Sequence, residues 1–320
     1  MTIQRFNRAV VLGAGGFLGI NLVAALVKRG FSVVCFDRNT CLNWPAGVRI
    51  LVGDLTVVQP ELLAAMDNAF VFHLASSAKP TSRTDAIAFE IEGEISATVR
   101  LLEASKNLNT RWIYLSSGGT VYGQIDTSAL ISENSRTLPM SSYGIAKLAV
   151  ERYFSLYRKI HGTAYSIARV ANPYGPWQSP LAGQGIIGTL IYKAIKKEPI
   201  EIWGDGENVR DYLYVDDVIG GLLQIAEYGE SGEIYNLGSQ AGVSVNTLIA
   251  LVQIAACVDL NVNYVPARAS DVRYSVLDTQ KLLNLGPWKP TTSLETGISL
   301  TVRWMHENMA LFCQRTDKFT

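Results

Sequence analysis

Tyr143 and Lys147 stand four residues apart in Tyr143-Gly144-Ile145-Ala146-Lys147. A spacing of four places two side chains on one face of a helix, one turn apart. A phenol with a reference pKa of about 10 is a poor base at neutral pH. A neighbouring ammonium lowers that value and lets the phenol exchange a proton with a substrate hydroxyl. Pro139, Ser141 and Ser142 stand just upstream and suit the start of such a helix. YxxxK also occurs on ordinary solvated helices, so its weight depends on the rest of the chain.

A second group supplies that weight. Gly13-Ala14-Gly15-Gly16-Phe17-Leu18-Gly19 lies between an apolar run and a helical pattern. Its spacing is GxxGxxG, a variant of the GxGxxG dinucleotide fingerprint. Residues without Cβ let the chain turn tightly and approach a pyrophosphate, and the helix start then offers free N–H groups to it. Asp37 ends the next apolar run, eighteen residues after Gly19, near the offset of a carboxylate that binds adenosine ribose hydroxyls. Such a carboxylate repels a 2′-phosphate and favours NAD over NADP, while Arg38 beside it suits adenine stacking or a phosphate. The bland reading of Asp37 is a turn cap. With NAD bound, a cationic nicotinamide adds to the ammonium's effect on Tyr143.

These residues need a scaffold, and the chain supplies one. Ala9–Leu12, Val33–Phe36, Ile50–Val52, Phe70–Leu74, Trp112–Leu115 and Tyr165–Val170 read as buried strands, separated mostly by helical periodicities. That alternation predicts an α/β fold, a Rossmann-type doubly wound parallel sheet followed by a smaller mixed α/β substrate-binding part. The expected division is 1–175 for the cofactor, with part of 207–240 returning to it, and 176–320 mainly for substrate. The 320 residues agree with about two domain-equivalents. The 28 basic and 28 acidic side chains cancel, which argues against a polyanion-binding surface. Three histidines and four cysteines without metal-ligand spacing predict no metal site. The cysteines read as reduced packing residues; a Cys35–Cys41 disulfide has nothing to recommend it. The N-terminus lacks a signal peptide's long apolar segment, so the expected location is cytoplasmic.

Taken together, these motifs resemble the extended short-chain dehydrogenase/reductase superfamily, its NAD-dependent epimerase/dehydratase family, and most of all the UDP-glucose 4-epimerase branch. The resemblance runs over nearly the whole chain. Besides the glycine loop and the Tyr/Lys pair it includes Gly53-Asp54-Leu55, His73-Leu74-Ala75-Ser76 and Leu115-Ser116-Ser117-Gly118-Gly119-Thr120-Val121-Tyr122-Gly123. It continues through Arg169-Val170-Ala171-Asn172-Pro173-Tyr174-Gly175-Pro176, Gly204-Asp205-Gly206 and Val209-Arg210-Asp211-Tyr212. The resemblance implies that Asp54 and Leu55 flank the adenine. It places Phe17, Leu18, Leu74, Ala75, Ser76, Ser116 and Val170 on the cofactor groove. Asn172, Arg210 and Arg268 would reach a sugar-nucleotide diphosphate, which suits arginine's planar fork. Gly185, Ile186 and Trp203 would close over the nucleotide base, with Asp271 and Ser275 also on the substrate side. Otherwise Trp203 is a core aromatic, and Arg210 and Arg268 are surface partners of Asp211 and Asp271.

The chain departs from the family at two places. The third catalytic residue of relatives is a Ser or Thr four positions before the tyrosine of Val-Tyr-Gly, and that position is Gly118. Ser117 is our expected replacement, with Thr120 as the other nearby hydroxyl. Glu94 stands where many relatives carry Asn. Sugar 4,6-dehydratases have Thr-Asp-Glu at the positions of Gly118, Gly119 and Thr120, and their carboxyls remove a C5 proton and expel water. Sugar-acid decarboxylases usually have Glu in place of Thr120. Epimerisation needs one proton shuttle and a hydride carrier, which this chain retains. The expectation is an NAD-dependent 4-epimerase of a UDP-hexose or UDP-N-acetylhexosamine. A small Ser275 would admit an N-acetyl group at C2. The alternatives are a nucleotide-linked keto-sugar reductase or dehydrogenase, and a non-catalytic NAD sensor, which the Tyr/Lys pair disfavours. Helices around Glu94–Ser105 and Ala146–Ile160 carry apolar residues on more than one face, one to cover the sheet and the other to meet a partner helix in an expected homodimer, unless a large core absorbs both.

Overall fold

Each predicted apolar run becomes a parallel strand of one sheet. In a computed structural model, whose described residues are 6–41, 43–77, 87–125, 129–181, 185–267 and 272–313, the first six strands are β1 (Arg8–Leu12), β2 (Ser32–Asp37), β3 (Arg49–Val52), β4 (Ala69–His73), β5 (Thr110–Ser117) and β6 (Ala164–Val170). Later come β7 (Asn172–Tyr174), β8 (Ile200–Trp203), β9 (Val209–Tyr214), β10 (Glu233–Leu237), β11 (Gly242–Ser244), β12 (Val262–Val265) and β13 (Tyr274–Ser275). The main sheet has seven strands in the order β10-β6-β5-β4-β1-β2-β3. Every pairing in it is parallel. The order reverses between β1 and β4, where a doubly wound sheet opens a ligand crevice at its carboxyl ends.

Helices cover both faces, as continuous apolar strands demand. Along β1, Ala9 and Val11 pack into one core with Leu22 and Leu26 of α1 (Phe17–Lys28) and Leu222 of α7 (Val215–Tyr228). Val10 and Leu12 point to the other, with Leu62 of α2 (Pro60–Met66), Leu101 of α4 (Ala97–Ser105) and Phe154 of α5 (Ser142–His161). A short helix, α3 (Ile87–Glu90), continues through a π-helical turn, Ile91–Ser96, into α4. Such turns insert one residue per turn and recur at functional sites.

The remainder forms small sheets. β9 pairs with β7, β11 and β13, and β8 pairs with β12. They pack with α6 (Ile186–Lys196), α8 (Val245–Ala256) and the helix Leu294–Glu307. No described helix is long and apolar enough to cross a membrane.

One expected buried strand is exposed. In β3, Ile50 and Val52 are 44% and 50% accessible, because β3 is the edge strand. A run of apolar residues does not reveal whether its strand has neighbours on both sides. Cys35 and Cys41 are free thiols, and burial pushes Cys35 up to about 12.

Candidate active site

At the carboxyl end of β1 the glycine loop is shaped by close approach. Gly13 has φ +83°, and a Cβ there would stand 2.7 Å from the Ala75 backbone nitrogen. A Cβ on Gly19 would meet the Gly13 carbonyl oxygen at 2.2 Å, so α1 and its loop pack only without it. No side chain caps the start of α1, which leaves its first N–H groups for an anion. The Trp44 indole steadies the loop by donating to the Ala14 carbonyl at 2.9 Å. Asp37 does more than cap its own turn, although its Oδ1 does accept from the Arg38 N–H. Its Oδ2 reaches back to the Gly15 N–H at 2.9 Å.

From here one cleft of about 900 Å³ runs along the sheet's carboxyl edge. Gly13, Gly16, Phe17, Leu18, Gly19, Asp37, Arg38, Asp54 and Leu55 line its first part. Leu74, Ala75, Ser76, Ser116, Ser117, Tyr143, Lys147 and Val170 line its middle, and Asn172, Gly185 and Arg210 its far end. A smaller cavity of about 370 Å³ shares Asn172, Gly185 and Arg210 and adds Ile186 and Trp203.

Tyr143 and Lys147 lie in the first two turns of α5. Ser141 caps that helix by accepting from the Gly144 N–H at 3.2 Å, and Gly162 ends it at φ +74°. The Lys147 ammonium is 5.7 Å from the Tyr143 ring centre. It donates to Glu94 Oε1 at 2.6 Å, with both side chains almost fully buried. Burial opposes the lysine's charge, but Glu94 and then Tyr143 outweigh it and hold Lys147 above the ordinary lysine value. Burial raises Tyr143, Lys147 lowers it, Glu94 raises it and the nearby Ser117 hydroxyl lowers it, with a net upward shift.

Gly118 is explained by packing. A Cβ there would stand 2.4 Å from Leu277 Cδ1 and 3.1 Å from the Arg169 carbonyl oxygen. Leu277 is 1% exposed. The space a Ser or Thr would use is therefore filled, and Gly118 is absent from the cleft wall, whereas Ser117 and Thr120 belong to it.

A buried network holds this end of the sheet to α5. Arg169 on β6 grips Glu151 with two bonds, Nε to Oε1 at 3.0 Å and Nη2 to Oε2 at 2.6 Å. Ser116 donates to Glu151 Oε1 at 2.5 Å. Arg169 also donates to the Tyr122 hydroxyl, which donates to Asn236 Oδ1. Glu151 and the structural part of Arg169 were not singled out from sequence. The available signal was that Glu151 follows Lys147 by four residues, on the same helical face.

At the far end, Trp203 is 42% exposed, so it is not a core aromatic. Asn172 donates to the Asp211 carbonyl at 2.8 Å. Asp211 is no surface partner for Arg210. Its buried carboxylate accepts from Ser239 and from the Leu277 N–H. Ser275 pairs in register with Arg210, is buried, and lines neither cavity. Arg268 and Asp271 fall outside the described residues.

Comparison with known proteins agrees with this geometry. The model of the NAD dependent epimerase/dehydratase family matches residues 9–238. A UDP-glucose 4-epimerase of Mycolicibacterium smegmatis is 30% identical over 311 residues, covering 93% of this chain and 98% of that protein. The crystal structure of a Thermotoga maritima UDP-glucose 4-epimerase with UDP-glucose superimposes with a TM-score of 0.88 at 32% identity, over 94% of this chain and 99% of the other. A dTDP-glucose 4,6-dehydratase of Xanthomonas campestris is 29% identical over 334 residues, covering 93% of each chain.

Proposed function

The chain belongs to the NAD-dependent epimerase/dehydratase family, and on that premise we propose that it is a 4-epimerase of a UDP-hexose or UDP-N-acetylhexosamine. The observation that carries this reading is the cleft wall beside Tyr143. Gly119 and Thr120 stand there, at the positions where a dehydratase presents its carboxyl pair. Neither residue offers an acid or base for removing a C5 proton and expelling water.

NAD is the family's cofactor, and the residues present fit it. The Cβ-free loop and uncapped α1 suit its diphosphate, and Asp37 its adenosine ribose, which a 2′-phosphate would not tolerate. When bound, NAD supplies the reversible hydride acceptor that turns a C4 alcohol into a ketone and back. The chain's own part is the proton. Tyr143, its ionisation favoured by Lys147 and by the positive charge of a bound nicotinamide, would take the C4 hydroxyl proton and return it to the reduced product, with Ser117 holding the same oxygen by a hydrogen bond. Lys147 steadies the phenolate and holds the nicotinamide ribose. Asn172 and Arg210 receive the diphosphate, and Trp203 stacks on the base from the smaller cavity. In this reading residues 1–175, with part of 207–240, serve the cofactor, and 176–320 mainly the sugar nucleotide.

The working form we propose is a homodimer. Ile91 in the π turn and Ile145, Leu156 and Ile160 on α5 each expose 46–56% of their surface, an apolar area that a second copy would cover. To test the activity, NAD-loaded protein is incubated separately with UDP-glucose, UDP-N-acetylglucosamine and their acids, and the C4 configuration is read by NMR. Inverted C4 without net NADH supports the proposal. Stoichiometric NADH change with a single configuration indicates a reductase or dehydrogenase instead.

A further inference from the structure

Glu94 is 1% exposed and sits on the π-helical turn. Its Oε1 accepts from Lys147 at 2.6 Å and from the Tyr114 hydroxyl at 3.4 Å. Its Oε2 accepts from Ser76 Oγ at 2.7 Å and from the Ser77 N–H at 3.1 Å. Its carbonyl accepts from Thr98 Oγ1, which also meets His73 Nε2. One carboxylate thus joins the active-site lysine to the cofactor groove at the end of β4.

We propose that Glu94 is a positioning residue for proton transfer at Tyr143: its carboxylate pins the Lys147 ammonium and cancels its charge, so the phenol ionises only at higher pH than it would beside a neutral amide. This rests on the epimerase reading above, because it concerns the same proton. The other groups facing the pair do not supply that countercharge. On α5, Glu151 is matched by Arg169. On β4, His73 is neutral, held to about 4 by burial. On β5, Tyr114 stays protonated, with burial the main cause, and Ser117 is uncharged. On α3, the Glu90 carboxylate accepts from Ser142 at 2.5 Å and bonds neither Lys147 nor Tyr143. An amide at 94 would leave one unmatched positive charge 5.7 Å from the phenol ring centre. A charge at that range shifts ionisation by roughly one to two pH units.

The test is a spectroscopic titration of the NAD-free protein. Tyrosinate absorbance is followed against pH and read as the difference from a Tyr143→Phe variant in the same background. Glu94→Gln should lower the Tyr143 midpoint by about one unit or more, and Glu94→Asp should leave it near the parent value. Glu94→Gln/Lys147→Met, which removes both charges, should also stay near the parent. If Glu94→Gln does not fold, the comparison moves to the Lys147→Met background, where adding Glu94→Gln must again lower the midpoint. In turnover, the acid limb of the kcat profile should move down with the titration. An unmoved midpoint in Glu94→Gln, or in the Lys147→Met background, overturns the proposal. A protein that shows the shift yet epimerises no sugar nucleotide overturns the epimerase reading and leaves the control of Tyr143 by Glu94 supported.

Discussion

Gly118→Ser returns the residue that relatives use, and the structure predicts that it will harm this protein. The new Cβ would lie 2.4 Å from Leu277 Cδ1 and 3.0 Å from Cδ2, with the Arg169 carbonyl oxygen at 3.1 Å behind it. Leu277 has little room to retreat, since its N–H is bonded to Asp211 and it packs against Val121, Tyr122 and Ile131. Overpacking of this kind costs about 1–3 kcal/mol. For a chain of 320 residues that corresponds to a fall in melting temperature of roughly 1–5 °C. Leu277→Ala alone should cost about 2–5 kcal/mol through the cavity it leaves. The double variant should be less damaged than the sum, with a favourable coupling of at least about 1 kcal/mol, because the serine occupies part of that cavity. Thermal unfolding of the four proteins measures the coupling, and turnover of a UDP-sugar measures the function. Unchanged stability with raised turnover in Gly118→Ser would show instead that position 118 has room and that its hydroxyl is the useful one.

Three further outcomes follow from the same geometry. Ser117→Ala should lower kcat by about 100-fold or more with little change in KM if its hydroxyl holds the reacting oxygen as proposed; steady-state kinetics check this. Asp37→Asn should weaken NAD binding by about tenfold or more and narrow the preference over NADP, as read by fluorescence titration of both cofactors. His73 is 2% exposed and its folded pKa is held to about 4, below the ordinary 6.5, mainly by burial. The unfolded chain therefore binds more protons between those values, and stability falls as pH drops from about 6.5 towards 4, by up to about 1.4 kcal/mol per unit. Denaturant unfolding at pH 7 and pH 5 should show the loss, and His73→Asn should flatten it.

Much of the scaffold was legible because its signals are local. Ala9–Leu12, the glycines after it and Asp37 occupy one short β-α-β stretch, and Tyr143 and Lys147 share one helical turn. The network around them was not legible, because its partners are far apart in the chain. Glu94 and Lys147 are 53 residues apart, and Tyr122 and Asn236 are 114 apart. The meaning of Gly118 lay with Leu277, which nothing near residue 118 announces. Glu94 was visible as a departure from relatives, but its π-helical setting and its bond to Lys147 needed three dimensions. Ile50 and Val52 show the same limit, since the sheet edge is a property of strand order.

In the proposed reaction, hydride leaves and re-enters C4 of one sugar while Tyr143 moves the hydroxyl proton. Its most direct measurement uses UDP-glucose carrying deuterium at C4, incubated with the NAD-loaded protein and followed by NMR, mass spectrometry and absorbance at the NADH band. The expected product is the C4 epimer with deuterium retained at C4, unchanged mass and no net NADH. Tyr143→Phe should lose this conversion. A product lighter by one water, or NADH appearing in step with product, would contradict the proposed reaction.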